Sequence, residues 1–212
     1  EASPADSLNT LAPKQARYYQ TVAGRKLACR TLHAVRVRGL QPGTDYRYRI
    51  FSQEVQSWPD VNNVTYGKTL DAGASRRRTY GFRTFPQAGS GCSFIVLNDI
   101  HGKADYMTRL CKGVDFSKLG FVAFNGDMSS SVESGEQLFK AYLDASVSLF
   151  ATGTPILFTR GNHETRGVFA DSLGDYFPGQ DGRFYGIYRY GDVCILLLDC
   201  GEDKPDDHAE YN

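Results

Sequence analysis

The stretch FIVLNDIHG, residues 94–102, decides the fold of the second half of the chain. Its first four residues are apolar and predict a buried β-strand, and the polar residues Asp99 and His101 follow at the exit of that strand. Because alternate residues of a strand share one face, the Asp-x-His spacing predicts that both side chains lie on the same side. A carboxylate and an imidazole placed in this way could hold one cation, although Asp and His are also common at strand ends without a metal.

Two further apolar runs are followed by polar residues in the same manner. Residues 121–124 (FVAF) lead into Gly126 and Asp127, and residues 155–158 (PILF) lead into residues 160–164 (RGNHE). In open α/β sheets, ligands bind outside the carboxyl ends of the strands. Three such ends therefore predict a metal site built from carboxylate, amide and imidazole groups. A helix N-cap is an alternative role for the Asn of the third segment, and it is compatible with metal binding.

The segments between these strands are predicted to be helical. Residues 104–111 form one helix and residues 138–150 form another, with one apolar face made by Leu138, Tyr142, Ala145 and Leu149. Residues 129–131 are predicted to provide the N-cap of the second helix. Residues 193–199 are a continuous apolar run, which predicts a strand buried on both faces.

The first part of the chain follows an all-β pattern. Residues 32–38 and 45–51 alternate between apolar and polar side chains on either side of a predicted turn at residues 41–44. Residues 63–66 and 79–85 are further predicted strands. Short strands at this spacing predict a β-sandwich, preceded by a polar tail or incomplete first strand at residues 1–16.

Composition gives no support for nucleic-acid binding, a membrane span or a scaffold of cysteines. The 212 residues carry a formal net charge of zero, whereas a nucleic-acid-binding protein usually has a basic excess. No apolar run approaches the roughly 20 residues that span a bilayer. The five cysteines form no C-x-x-C pair, so neither a zinc knuckle nor a disulfide scaffold is indicated. Residue 1 is Glu, and we expect the chain to be a processed or engineered piece.

Residues 39–46 (GLQPGTDY) resemble a segment of fibronectin type III-like domains. The resemblance implies that Leu40 lies in the core and that Tyr46 packs at a corner between strands. We therefore predict a fibronectin type III-like β-sandwich over residues 1–86, short at its start, and a linker at residues 87–92.

The order Asp-x-His, Gly-Asp and Gly-Asn-His-Glu resembles the calcineurin-like metallophosphoesterase superfamily, over residues 93–199. The resemblance implies an α/β metallophosphoesterase domain, of which residues 93–212 are the N-terminal portion. With a β-sandwich in front, the arrangement is similar to proteins related to the purple acid phosphatases.

The resemblance also implies a set of metal ligands. Asp99 and His101 hold a first metal, Asp127 bridges two metals, and Asn162 binds the second. The implied cofactor is a pair of divalent ions (Mn, Fe or Zn), which supply a metal-bound hydroxide that attacks phosphorus. The implied substrate is a phosphoric ester.

The remaining site residues follow from the same resemblance and from position. His163 faces the substrate phosphate as a catalytic residue, and Glu164 orients His163. Arg160 and Tyr106 lie next to the motifs and are candidates for substrate binding. The function predicted is phosphatase-type hydrolysis by a metallophosphoesterase.

Three departures from the related families limit this prediction. Purple acid phosphatases place a tyrosine soon after the Gly-Asp motif, whereas residues 128–131 are MSSS, so a ferric centre is not expected. The Asp-Arg-Gly motif of protein Ser/Thr phosphatases is also missing. The family also has two later segments, a single His and then a Gly-His-x-His; the sequence contains neither, and His208 lacks the right context for the single His. We therefore expect truncation at the C-terminus, with further ligands beyond Asn212, and an inactive fragment as one outcome.

Two other functions stay open. A phosphodiesterase, nucleotidase or sphingomyelinase-like activity could use the same site, and a non-catalytic binding protein could retain a vestigial phosphoesterase domain. Relatives with a leading sandwich are mostly exported, so we expect a periplasmic, cell-surface or secreted protein, although the odd number of cysteines opposes this. The sequence leaves the oligomeric state open.

Overall fold

The computed structural model describes residues 18–20, 26–28, 32, 37–60, 63–72, 80–89, 91–179 and 182–199. Contacts divide the chain into two compact units, Glu1–Thr84 and Phe85–Asn212. The predicted N-terminal tail and residues 33–36 of the first predicted strand lie outside the described residues.

The described strands of the first unit form three antiparallel pairs. These pairs are β1 (Tyr18–Gln20) with β2 (Lys26–Ala28), β3 (Asp45–Tyr48) with β6 (Tyr80–Arg83), and β4 (Ile50–Asp60) with β5 (Asn63–Ala72). The fibronectin type III-like sandwich stays a prediction, because two-stranded pairs do not by themselves define that topology.

The predicted turn before β3 is present. Gly43 has a positive φ of 61°, which a glycine adopts without the steric cost that other residues carry. Tyr46 is buried, and its hydroxyl accepts a hydrogen bond of 2.8 Å from the backbone N–H of Gln41. The tyrosine therefore fastens the turn to the strand that follows it.

The second unit contains a parallel sheet, as the apolar runs predict. Its strands are β7 (Phe94–Leu97), β8 (Phe121–Asn125) and β9 (Ile156–Thr159), in the order β7-β8-β9. Helix α1 (Ala104–Leu110) connects β7 to β8, and a longer helix, α2 (residues 135–151), connects β8 to β9. Parallel strands require such crossovers, so the predicted α/β class is confirmed for this unit.

Buried apolar side chains hold the helices against this sheet. Met107 of α1 and Tyr142 of α2 are fully buried, as is Phe124 of β8. Burying a side chain of this size contributes about 1.5–3 kcal/mol each. The same core includes Ile100 and Met128, which lie in the loops that leave β7 and β8. The loops that carry the predicted ligands are thus anchored by the core itself.

Helix α2 packs its predicted apolar face against the core and buries further residues beside it. It alternates between α segments (Gly135–Leu138, Asp144–Ser146) and π segments (Phe139–Leu143, Val147–Ala151). The buried residues of this helix are Leu138, Ala141, Tyr142, Ser146 and Phe150. The predicted Ala145 and Leu149 are only partly buried, and they pack against the same core.

The predicted N-cap of α2 is wrong. The Ser134 hydroxyl, not residues 129–131, accepts the hydrogen bond from the backbone N–H of Gln137 at 3.1 Å. Ser129 instead donates its hydroxyl to the Ser131 carbonyl.

The last described strands form an antiparallel ribbon, β10 (Gly186–Tyr190) with β11 (Val193–Leu197). The expectation that this second strand is buried on both faces is wrong, since Leu196 is 59% exposed and Leu198 is 63% exposed. The physical reason is that β11 pairs with β10 alone within the part of the chain that the structure describes. A short helix, α3 (Leu173–Tyr176), precedes this ribbon. In the described ranges, every helix falls short of the length and apolar character needed to cross a bilayer.

Candidate metal centre

The loop after β7 carries Asp99 and His101 in an unusual backbone conformation. Both residues have positive φ, 54° and 50°, which non-glycine residues rarely adopt. Ile100 between them is fully buried. The two side chains lie on one side, with His101 Nε2 3.7 Å from Asp99 Oδ1, because of this left-handed backbone and not through strand alternation as predicted. Such strain persists only where the surrounding structure imposes it, and it clusters at functional sites.

The loop after β8 is held directly against this first loop. The backbone N–H of His101 donates to the Asp127 carbonyl at 3.0 Å, and that of Gly102 donates to the Met128 carbonyl at 2.8 Å. Asp127 also has a positive φ of 54°. Asp99, His101 and Asp127 are the predicted metal ligands with a carboxylate or imidazole side chain. All three adopt left-handed backbone.

Glycines allow the loops after β8 and β9 to approach each other closely. A Cβ added at Gly126 would lie 2.7 Å from the backbone of Gly161. A Cβ added at Gly161 would in turn lie 2.8 Å from the backbone nitrogen of Asp127. The Gly-Asp and Gly-Asn-His-Glu segments thus need glycine for a steric reason.

The loop after β9 places His163 over Asp127 and beside His101. It forms a 3₁₀ turn, His163–Thr165. The backbone N–H of His163 donates to Asp127 Oδ1 at 3.1 Å. The His163 ring packs edge-on against the His101 ring, with 4.6 Å between centroids, and its Nδ1 lies 2.9 Å from the carbonyl oxygen of Ser130.

These loops bring one ligand atom from each of His101, Asp127 and His163 within 4.8 Å of one another. Nitrogen and oxygen ligands bind Zn²⁺ at about 2.0–2.2 Å, so two ligands on opposite sides of one ion lie about 4.4 Å apart. A small adjustment of side chains therefore suffices for all three residues to reach one cation. Asp99 borders this cluster through His101, and its side chain is 63% exposed.

Glu164 has a different role from the one predicted. Its carboxylate is fully buried and accepts hydrogen bonds from the backbone N–H groups of Asp127 (2.8 Å), Gly161 (2.7 Å) and Ser129 (3.1 Å). The hydrogen bonds of Glu164 therefore go to the main chain, and none reaches the ring of His163 that it was predicted to orient. Glu164 joins the loops after β8 and β9, and so positions Asp127 and His163 indirectly.

The amide of Asn162 lies between Asp127 and Arg166. With the amide nitrogen turned toward Asp127, it donates to both carboxylate oxygens at 3.3 Å, and the amide oxygen accepts from Arg166 Nη2 at 3.0 Å. The predicted ligand Asn162 is therefore adjacent to Asp127, as a shared metal requires.

The two residues predicted to bind substrate lie in different surroundings. Arg160 Nε donates to both carboxylate oxygens of Asp199, at 2.9 and 3.0 Å, and its guanidinium lies 5.0 Å from the ring centroid of Phe184. Tyr106 is exposed on α1, with the Arg109 guanidinium 6.0 Å from its ring centroid. The structure places neither residue in the His101, Asp127 and His163 cluster.

Two site residues were missed by the sequence analysis. Arg166 Nη1 lies 3.0 Å from His163 Nδ1, and the Ser130 hydroxyl lies 3.4 Å from His101 Nδ1. The only feature of the sequence that could have indicated them is their position. Ser130 comes three residues after the predicted ligand Asp127, and Arg166 comes three residues after the predicted catalytic residue His163.

A groove of about 570 Å³ opens beside His101. The residues that line it are His101, Gly102, Ser129, Ser130, Ser134, Glu136, Gln137, Lys140 and Ala141. The groove gives a bound molecule room next to the cluster.

Comparison with known families agrees with this geometry. The sequence profile described as calcineurin-like phosphoesterase matches residues 92–205. The chain belongs to the calcineurin-like phosphoesterase family. Membership implies divalent metals and hydrolysis of phosphoric esters, and the His-Asp-His cluster is consistent with a metal site. No curated protein matches the sequence of this chain.

Proposed function

We propose that this calcineurin-like phosphoesterase hydrolyses phosphoric esters in the manner of a phosphatase, with two divalent metal ions (Mn, Fe or Zn). Asp99, His101, Asp127 and Asn162 would hold the ions. The observation that carries the proposal is the meeting of ligand atoms from His101, Asp127 and His163 within 4.8 Å, at the carboxyl ends of three parallel strands.

The donor set fits the proposed metals. Imidazole nitrogen and carboxylate oxygen suit Zn²⁺, Mn²⁺ and Fe²⁺. Asp127 has two oxygens, and the one that accepts from the His163 N–H keeps a further lone pair for a metal. The left-handed backbone at Asp99, His101 and Asp127 is a cost of the kind that clusters at functional sites.

Bound divalent ions would act as Lewis acids that polarise the phosphoryl oxygens and lower the pKa of a water molecule. The chain supplies orientation and proton transfer. His163 Nδ1 lies 2.9 Å from the Ser130 carbonyl oxygen and 3.0 Å from Arg166 Nη1, and these contacts hold the ring beside Asp127. His163 is the proposed general acid that protonates the departing alkoxide.

Three finer assignments are proposals of the same kind. A relation to the purple acid phosphatases is supported by the order of a β-rich unit followed by the phosphoesterase unit. A fibronectin type III-like first unit is supported by Tyr46, whose hydroxyl accepts from the backbone five residues upstream, as in the tyrosine corner of related sandwiches. Export of the protein is proposed from the habit of relatives with this order of domains.

A phosphodiesterase or nucleotidase reaction is the second candidate. The groove of about 570 Å³ beside His101 favours it, because a diester needs space for a second substituent near the metals. A non-catalytic chain with a vestigial centre is the remaining alternative.

The test measures hydrolysis of p-nitrophenyl phosphate and of bis(p-nitrophenyl) phosphate after loading with Mn²⁺ or Zn²⁺. We expect metal-dependent turnover that falls at least about a hundredfold in Asp127→Asn. Asp144→Asn, on the exposed side of α2, is the matched control and should keep full activity. Faster turnover of the diester would favour the second candidate. Metal bound without turnover of either ester would favour the vestigial alternative.

A further inference from the structure

The amide of Asn162 lies between a hydrogen-bond acceptor, the Asp127 carboxylate, and a hydrogen-bond donor, the Arg166 guanidinium. One terminal atom of the amide lies 3.3 Å from both carboxylate oxygens of Asp127, and the other lies 3.0 Å from Arg166 Nη2. These positions are the same in either orientation of the amide, so the oxygen faces one partner and the nitrogen faces the other.

The two orientations suit two different states of the site. With the oxygen toward Arg166, every donor meets an acceptor, because Arg has only donors and an ionised Asp has only acceptors. A cation shared by Asp127 and Asn162 needs the oxygen on the Asp127 side. That orientation turns the amide NH₂ toward the donors of Arg166, which is unfavourable.

The backbone of Arg166 is fixed, so the guanidinium cannot withdraw by moving the loop. The Arg166 carbonyl accepts a hydrogen bond of 2.8 Å from the backbone N–H of Val132. The next residue, Gly167, has a φ of 97°, and a Cβ there would meet the Val132 carbonyl oxygen. The same guanidinium also contacts His163, with Nη1 3.0 Å from Nδ1 and 3.3 Å from Nε2.

We propose that Arg166 is a positioning residue that opposes metal binding at Asn162. In the absence of metal it holds the Asn162 oxygen away from Asp127, and a cation that uses Asn162 has to break this hydrogen bond and rotate the amide. Metal binding and the Arg166–Asn162 contact are then mutually exclusive. This inference rests on the proposed function, because it takes Asn162 and Asp127 as ligands of the same metal.

The experiment is a double-mutant cycle on metal affinity, measured by isothermal titration calorimetry with Mn²⁺ or Zn²⁺. Arg166→Met removes the competing donor and keeps an unbranched side chain of similar length. We expect it to tighten metal binding about tenfold, the effect of losing one hydrogen bond to a charged donor. In the Asn162→Ala background, Arg166→Met should change the affinity by less than about twofold, because the amide oxygen is gone.

The cycle separates hydrogen bonding from charge. Removal of a nearby positive charge alone would tighten binding equally in both backgrounds, and that outcome would overturn the proposal. Weaker or unchanged binding by Arg166→Met in the Asn162 background would overturn it as well. If Arg166→Met does not fold, Arg166→Leu is compared in the same two backgrounds, since it also removes the donors. Tightening confined to the chain with Asn162 supports the proposal, whereas equal tightening in both backgrounds or none in either overturns it.

Failure of the proposed function is recognised separately with Asp127→Asn. If this substitution leaves the affinity unchanged, the assigned metal site itself is wrong. If it lowers the affinity while the Arg166 variants do not tighten binding, only the inference about Arg166 fails.

Discussion

Replacement of the buried Glu164 by Gln should destabilise the second unit and loosen its metal centre. The carboxylate is fully buried, and its two oxygens accept from three backbone N–H groups. Oε2 accepts from Asp127 and Gly161 at 2.8 and 2.7 Å, and Oε1 accepts from Ser129 at 3.1 Å. Gln has nearly the same shape but offers only one oxygen, so one of the two positions becomes a donor.

The magnitude follows from the orientation that costs least. The remaining oxygen takes the Oε2 position, where it keeps the contacts to Asp127 and Gly161. The amide NH₂ then faces the N–H of Ser129, which loses its acceptor inside the protein. A buried donor without a partner costs about 1–3 kcal/mol, and the two retained hydrogen bonds weaken because the acceptor is no longer charged. We expect a loss of about 2–4 kcal/mol in the free energy of unfolding.

The assay is urea unfolding of the metal-free chain, followed by far-UV circular dichroism. Glu136→Gln is the matched control, because Glu136 is exposed and its only described partner is the Lys140 ammonium. That variant should unfold at the same urea concentration as the wild type. Metal affinity of Glu164→Gln should also fall, since Glu164 fixes the loops of Asp127 and His163. A change below about 0.5 kcal/mol for Glu164→Gln would refute the reasoning, since most surface substitutions already fall in that range.

Three further predictions concern the same unit. Tyr142→Phe should leave the free energy of unfolding unchanged or raise it, because the buried Tyr142 hydroxyl has no hydrogen-bond partner among the described residues. A fall of more than about 1 kcal/mol in thermal unfolding would contradict this. Gly126→Ala and Gly161→Ala should each lower the free energy of unfolding by about 2–4 kcal/mol, because the added Cβ would clash with backbone atoms. Gly91→Ala is the control, since a Cβ there meets open space, and chemical denaturation measures the difference. Asp99→Gly should stabilise the metal-free chain by about 1 kcal/mol, since glycine relieves the left-handed strain, and differential scanning calorimetry measures this gain. The same substitution should weaken metal binding, which a metal titration measures.

The parallel sheet could be predicted because its strands are short apolar runs that end in polar residues. Burial of β8 on both faces leaves few polar side chains within it, so the pattern of residues 121–124 is unambiguous. The convergence of His101, Asp127 and His163 then follows from the shared edge of parallel strands. The apolar run of β11 shows the limit of this argument, since composition alone does not reveal how many neighbours a strand has.

The details of the site depend on contacts between loops that no local pattern records. The left-handed backbone of Asp99 and His101 is imposed by hydrogen bonds to the loop after β8. The partners of Glu164 are main-chain amides, which every residue carries and which therefore leave no signature in the sequence. Arg166 reaches Asn162 because its backbone is bound to Val132, more than 30 positions earlier in the chain.

The central claim is that Asp127, together with Asp99, His101 and Asn162, binds metal, and metal content per chain tests it most directly. The chain is equilibrated with Mn²⁺ or Zn²⁺, dialysed and analysed by elemental analysis, beside Asp127→Asn and the control Asp144→Asn. The account predicts bound metal in the wild type and in Asp144→Asn, and its loss in Asp127→Asn. Equal metal content in all three proteins, or none in the wild type, would contradict the account.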